Sequence, residues 1–278
     1  MKNEDEAVSE AQRTIGVMAG SGIYPESFIT AARERGVRIV VAAFKGETSD
    51  TLESQADVVK WFRVGQLGGV IKFFKKQDAK EAVMVGQIAP RNLFDLWPDV
   101  RTLKMLRGVP ERNAETLFGA IADELAKDEI ELLPATTFLE DQLAKEGHLY
   151  GPAPSERDEL DISFGRKIVK QTSALDIGQS IVVRRGTVLA VEAFEGTDEC
   201  IKRGGKLGKG TDVTLVKVSK PNQDMRFDVP VIGPRTIRSC QESGVRTIAV
   251  EAGKTLFLGL EEIEKRCREG KITIVGFS

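Results

Sequence analysis

The chain of 278 residues contains a single histidine, His148. That count excludes His-rich metal centres and the two-histidine zinc motifs. One imidazole remains for proton transfer. It sits in "KEGHLYGPAP", which reads as a linker with no neighbour to orient the ring. Cysteine is nearly as scarce. Cys200, Cys240 and Cys267 lie far apart without a CxxC pair, so they read as reduced structural thiols of a cytosolic protein. No apolar run approaches the roughly 18 residues needed to span a bilayer. Basic and acidic residues number 40 and 42, with no block of one sign, so no nucleic-acid partner is expected. The opening MKNEDEAVSEAQR is acidic and polar, unlike a signal peptide or presequence, and residues 1–13 are expected to form a frayed tail. Chemistry is left to carboxylates, basic side chains and a hard metal ion.

What is present is an α/β pattern. "TIGVMAGSGIYPESFITAARERGVRIVVAAF" reads as strand, glycine turn, helix and strand, with Pro25 near the helix start and Gly36 at its end. Further strands are predicted over 58–62 and 82–85, with helical spacing between them in "QLGGVIKFFKKQ". An amphipathic helix follows from Asn113, its expected cap. The first half therefore reads as a Rossmann-like, mainly parallel sheet. Glycine, proline and polar residues cluster around "EGHLYGPAPSERDEL", which marks the boundary region. The second half mixes a helix near 158–172, a hairpin around an Arg-Gly turn in "QSIVVRRGTVLAVEAF", an alternating strand in "DVTLVKVSK", and helix-strand alternation to the end. Two α/β domains are expected, residues 14–140 and 141–278. "AVEA" occurs twice, ending β runs at Glu192 and Glu251, and strand ends are where open α/β sheets bind ligands.

Four segments carry candidate chemistry. Gly20, Ser21 and Gly22 in "AGSGIYP" form a strand-to-helix turn able to offer N–H groups to a phosphate. Pro25 replaces the third glycine of GxGxxG, and no Gly-Lys-Ser/Thr ending is present, so the turn is neither a dinucleotide fingerprint nor a P-loop. A plain tight turn accounts for it equally well. "EAFEGTD" places Glu192, Glu195 and Asp198 around a turn, with Thr197 a potential helix cap and Asp198 in the first turn. "KPNQDMRFDVPVIGPRT" reads as a strand with Asp224, Arg226 and Asp228 on one face and Met225, Phe227 and Val229 on the other. Four residues of strand span roughly 13 Å, so both aspartates could reach one ion only if the chain bends. Arg235 and Thr236 follow Pro234 at a predicted helix start, a second candidate phosphate site. "IAPRNLFDLWPDVRTLKML" mixes Phe94, Leu96 and Trp97 with Arg91, Arg101 and Lys104, and reads as core with a solvated face or as a lipid-facing surface.

Together, "AGSGIYP", "GQIAPRNL", "GQSIVVRRGTVLAVEAFEGTD", "KPNQDMRFDVPVIGPRTI" and "IAVEAGKTL" resemble the LpxI family, in order and over nearly the whole chain. The resemblance implies a nucleotide-binding-like N-terminal domain and a catalytic C-terminal domain with substrate between them. It implies hydrolysis of the pyrophosphate of UDP-2,3-diacylglucosamine, in lipid A biosynthesis, to UMP and 2,3-diacylglucosamine 1-phosphate (lipid X). It places the family's critical aspartate in "QDMRFD", at Asp224 or Asp228, with Asp224 slightly preferred. The cofactor expected is Mg²⁺ (or Mn²⁺), with Asp224, Asp228 and Glu192 as candidate ligands and Arg226 or Arg235 offsetting phosphoryl charge. An acylated UDP-glucosamine lipid as substrate implies a cytoplasmic protein peripheral on the inner membrane; a homodimer is the expected assembly. The alternatives are a hydrolase, or a non-catalytic binding protein, for another nucleotide sugar.

Overall fold

A computed structural model describes residues 12–88, 97–109 and 114–278. The chain divides into two compact units, Met1–Phe138 and Leu139–Ser278.

The first unit is built on β1 (Thr14–Ala19), α1 (Tyr24–Glu34), β2 (Arg38–Phe44), β3 (Val58–Phe62), α2 (Leu67–Lys76), β4 (Glu81–Val85), α3 (Val100–Arg107), α4 (Ala114–Ala126) and β5 (Glu131–Leu132). Its five strands run parallel in the order β3-β2-β1-β4-β5. β1 and β2 are buried almost end to end, as expected of apolar, β-branched runs covered on both faces. The strand order reverses direction at β1 and β4, and the Gly20–Gly22 turn leaves β1 there. Asn113 lies outside the described residues.

The second unit contains β6 (Gly147–Tyr150), α5 (Glu156–Ala174), β7 (Ser180–Arg184), β8 (Thr187–Val191), α6 (Thr197–Leu207), β9 (Val213–Lys217), β10 (Val231–Ile232), α7 (Pro234–Ser243), β11 (Val245–Glu251), β12 (Leu256–Phe257), α8 (Leu260–Gly270) and β13 (Thr273–Phe277). The main sheet has the order β6-β13-β11-β9-β7-β8. β9, β11 and β13 are parallel; β6 and the β7–β8 hairpin supply the antiparallel pairs. One apolar cluster gathers Ile201, Ile237 and Ile263 from α6, α7 and α8 against one face, and another gathers Ile162 and Val169 of α5 against the other.

Several sequence expectations need correction here. "GHLY" is not a linker: it pairs with β13 as an edge strand, with His148 exposed. β9 does not alternate, because both of its faces are covered and every residue is buried. The hairpin forms as expected. Arg185 and Gly186 both have positive φ, 49° and 68°, the signature of a type I′ turn. Asp161 of α5, 2% exposed, accepts both N–H groups of that turn at 2.8 and 2.7 Å. The three cysteines are buried, and burial pushes the Cys200 and Cys267 thiols up to about 12 and Cys240 further in the same direction. They pack as small apolar residues.

Candidate active site

The Gly20 turn is fastened to the loop after β4. Gly20 N–H donates to the Val85 carbonyl at 2.8 Å, and Ser21 and Gln87 exchange backbone bonds at 2.7 and 3.1 Å. Ser21 Oγ adds a bond to the Gln87 carbonyl at 2.9 Å. Two of the turn's N–H groups are thus spent on the protein's own backbone. Gly22, with φ +90°, leads into α1, whose Pro25 lies in the first turn.

In the second unit, the parallel strands deliver their C-terminal ends to one sheet edge. β9 ends there at Lys217, β11 at Glu251, and β8 at Val191, just before Glu192. β7 runs the other way and starts at that edge, with Ser180 opposite Lys217. Residues 218–230 leave β9 at the same place: Val218 N–H bonds the Gln179 carbonyl at 2.9 Å.

The segment expected to be a strand is a turn. Asp224's carbonyl accepts from the N–H groups of Phe227, at 3.2 Å, and Asp228, at 3.0 Å. Its carboxylate accepts the Arg226 N–H at 3.0 Å, closing an Asx-type turn. The same carboxylate takes the Arg226 guanidinium in a forked pair, Nε at 3.0 and 3.1 Å and a terminal nitrogen at 2.7 Å. That pairing, opposed by partial burial, holds the Asp224 carboxyl below its ordinary range. The chain therefore bends across 224–228 and does not run extended. Asp228 is positioned separately: Gln179 Nε2 reaches its Oδ2 at 3.5 Å, and Gln223 donates to its carbonyl.

Glu192 follows β8 at the same end of the sheet. Its N–H donates to the Ser180 carbonyl at 2.8 Å, and its Oε1 accepts from Thr197 Oγ1 at 2.8 Å, while Oε2 is buried with no partner among the described residues. Thr197 is not a cap: Gly196 is the N-cap of α6 and Thr197 is its first residue. Glu195 belongs to a surface pair with Arg203. Arg235, exposed at the start of α7, pairs with Asp198 at 2.6 Å, and Ser239 bonds the other Asp198 oxygen at 3.2 Å. Arg235 and Asp198 thereby join α7 to α6. Thr236, beside Arg235, is half-buried in the first turn of α7. No three His, Cys, Asp or Glu residues among the described residues converge as a ready-made metal cage.

Sequence reasoning passed over Gln179, Ser180 and Lys217. Lys217 is 8% exposed, and a lysine ending so apolar a strand was the available signal. The second "AVEA" glutamate has a different fate from the first. Glu251 receives Lys170 Nζ on both oxygens at 2.8 and 2.7 Å, Ser219 N–H at 2.9 Å and Oγ at 2.7 Å, and Lys254 at 3.0 Å. Burial alone would push its carboxyl up; these bonds outweigh burial and hold it at about 2. A depressed carboxyl stabilises the fold above its unfolded value and loses that contribution as pH falls through its folded value. Glu251→Gln is expected to cost on the order of 3 kcal/mol at pH 7. Urea unfolding should show the gap from wild type intact above about pH 5 and closing toward pH 2; a gap independent of pH would contradict it.

Two family models together match most of the chain. The LpxI N-terminal domain matches residues 14–142 and the LpxI C-terminal domain residues 145–275. The chain belongs to the LpxI family. A curated relative, the UDP-2,3-diacylglucosamine pyrophosphatase LpxI of Caulobacter vibrioides, is 28% identical over 263 residues, covering 90% of this chain and 92% of its own. Among solved structures, a pyruvate carboxylase of Rhizobium etli with acetyl coenzyme A aligns at 15% identity and TM-score 0.27, over 62% of this chain and 15% of its own. The biotin carboxylase domain of a Hydrogenobacter thermophilus 2-oxoglutarate carboxylase aligns at 10% identity and the same TM-score, over 70% and 41%. Superpositions that loose bear on neither fold nor chemistry.

Proposed function

We propose that this protein hydrolyses the phosphoanhydride of UDP-2,3-diacylglucosamine to UMP and 2,3-diacylglucosamine 1-phosphate, a step of lipid A biosynthesis. The observation that carries this reading is the family match across both units, together with a relative of that activity aligned over nine-tenths of the chain. Geometry supports it through the turn at 224–228, which gathers two carboxylates and an arginine beside the strand ends of the second unit.

The donor set suits a hard cation. It offers carboxylate oxygens, and neither imidazole nor thiolate is at hand. Mg²⁺ is commonly bound through one or two carboxylates together with substrate phosphates and water, so the two aspartates of this turn would suffice to anchor it. Asp224 and Asp228 are the residues that would hold Mg²⁺ (or Mn²⁺). When bound, such an ion neutralises phosphoryl charge and makes a nearby water more acidic. Arg226 neutralises Asp224 in the absence of substrate. Its planar fork matches a phosphoryl group equally well, so on binding it transfers from carboxylate to phosphate and offsets the charge that develops there. Water adds to one phosphorus and releases its proton to solvent, the bridging P–O bond breaks, and the leaving phosphate takes the electron pair.

The acyl chains hold the substrate at a bilayer. No described helix is long and apolar enough to cross one. Trp97, Val100 and Leu103 are exposed at 65, 84 and 47%, and the Arg63 guanidinium lies 4.7 Å from the Trp97 ring. That apolar and basic surface supports peripheral docking. Arg101 is not part of it, being paired with Glu124 and Asp128. Arg91, Phe94 and Leu96 lie outside the described residues. The test presents UDP-2,3-diacylglucosamine in anionic vesicles and follows UMP release and co-sedimentation. Mg²⁺-dependent release, abolished by EDTA, is expected with the acylated substrate and not with UDP-N-acetylglucosamine. Equal turnover of both would assign another nucleotide-sugar hydrolase, and protein left in the supernatant would reject the docking.

A further inference from the structure

The edge of the second sheet holds a lysine that the reaction above does not use. Lys217 lies between fully buried Val216 and Val218 and is itself 8% exposed. An ammonium so removed from water is costly unless its charge is met. Among the described residues it pairs directly with no carboxylate. Its Nζ lies 2.9 Å from Thr197 Oγ1 and 3.5 Å from Ser180 Oγ. An ammonium carries three donors, so one has no partner among the described residues.

Chemistry fixes the direction of the bonds. The ammonium can only donate, so Thr197 accepts from it and passes its own hydrogen to Glu192 Oε1 at 2.8 Å. Glu192 thus balances Lys217 through a hydroxyl, not by contact. The Lys170–Glu251–Ser219 group, along the same edge, shows what a finished structural pair looks like, with both carboxylate oxygens bonded. Among the described residues the Lys217 group is unfinished at both ends, with a spare donor on the lysine and a buried, unpartnered Oε2 on the glutamate. It is also adjacent to the 224–228 turn. Ser180 stands opposite Lys217, and the preceding residue, Gln179, touches Asp228.

We propose that Lys217 is a catalytic residue whose spare N–H takes an oxygen of the substrate's diphosphate, with Thr197 and Glu192 as positioning residues that aim it. This rests on the pyrophosphatase reading, and it moves Glu192 from the metal to the lysine. A buried point charge with fixed hydroxyl partners needs no reorganisation when phosphoryl charge builds up. Thr197 opens α6, so the positive end of that helix adds to the same field.

The experiment has two arms, hydrolysis of UDP-2,3-diacylglucosamine and calorimetric binding of UDP. Lys217→Met keeps the apolar stem and removes the charge. It is expected to lower kcat at least 100-fold and weaken UDP at least tenfold, with Lys217→Arg recovering part of both. Thr197→Val removes the hydroxyl at constant shape, and should lower kcat about tenfold with KM changed less than threefold. Wild-type protein inert toward the lipid nucleotide would overturn the pyrophosphatase reading, and the UDP arm would still judge Lys217. UDP bound equally by wild type and Lys217→Met would overturn the lysine proposal. Should Lys217→Met not fold, unchanged kcat in both Lys217→Arg and Thr197→Val would do the same.

Discussion

Asp224→Ala is expected to lower kcat for UMP release by about three orders of magnitude, about 4 kcal/mol of barrier, while the protein stays folded. The side chain has two separable tasks. As a turn former, it accepts the Arg226 N–H, which any oxygen of the right reach could do. As a carboxylate, it holds the Arg226 fork and supplies negative charge for a cation. Asp224→Asn separates them. The amide oxygen preserves the turn and removes the charge. If charge is what matters, Asn is as inactive as Ala; recovery to within tenfold of wild type by Asn would reduce Asp224 to a backbone device. Asp228→Ala is expected to cost at least 100-fold, because Asp228 sits on the same turn and is steadied by Gln179 and Gln223. Circular dichroism and the urea midpoint are the controls. Both aspartates lie on a surface turn, so neither truncation opens a cavity in the core.

How far this was legible in the sequence depended on whether local chemistry and tertiary contact agreed. β1, the glycine turn, α1 and β2 were readable because the apolar run, Pro25 and Gly36 all point the same way. The hairpin was readable because Gly186 sits in a short polar gap between two apolar, β-branched runs, although the type I′ turn also makes Arg185 take a positive φ. The 220s segment misled. Asp-Met-Arg-Phe-Asp has a period of two, yet the Asp224 side chain captures the backbone two residues on, and a local bond of that kind competes with pairing. β6 was missed because four residues containing glycine and an exposed histidine carry almost no strand signal, and β13 supplies the pairing. The aspartates could be named from sequence, but their partners could not. Gln179, Ser180 and Lys217 are neighbours of Asp228 and Glu192 only because β7 runs antiparallel to β9 and starts where β9 ends.

Gly20→Ala is expected to destabilise the first unit by about 3 kcal/mol or more, whereas Gly22→Ala, two residues on, should cost about 1 kcal/mol. The two glycines do different work. A Cβ on Gly20 would stand 2.5 to 2.8 Å from backbone O, N and C atoms of Gln87. No side chain can rotate out of the way, so the β1 and β4 loops must part. Parting them threatens the Gly20–Val85 and Ser21–Gln87 bonds together. Gly22 faces open space, and its only demand is a φ of +90° that an L side chain rarely adopts. Urea unfolding of the two variants measures the difference. The same pair tests what the turn does for a nucleotide. Gly20 and Ser21 have already spent their N–H groups, so a phosphate held at this turn must be met by Gly22 and the first turn of α1. Gly22→Ala should then weaken UDP binding more than its small stability cost explains. Equal losses of stability in the two variants would remove the clasp between β1 and β4. Unchanged UDP affinity in Gly22→Ala would leave the turn as a structural joint with no anion to hold.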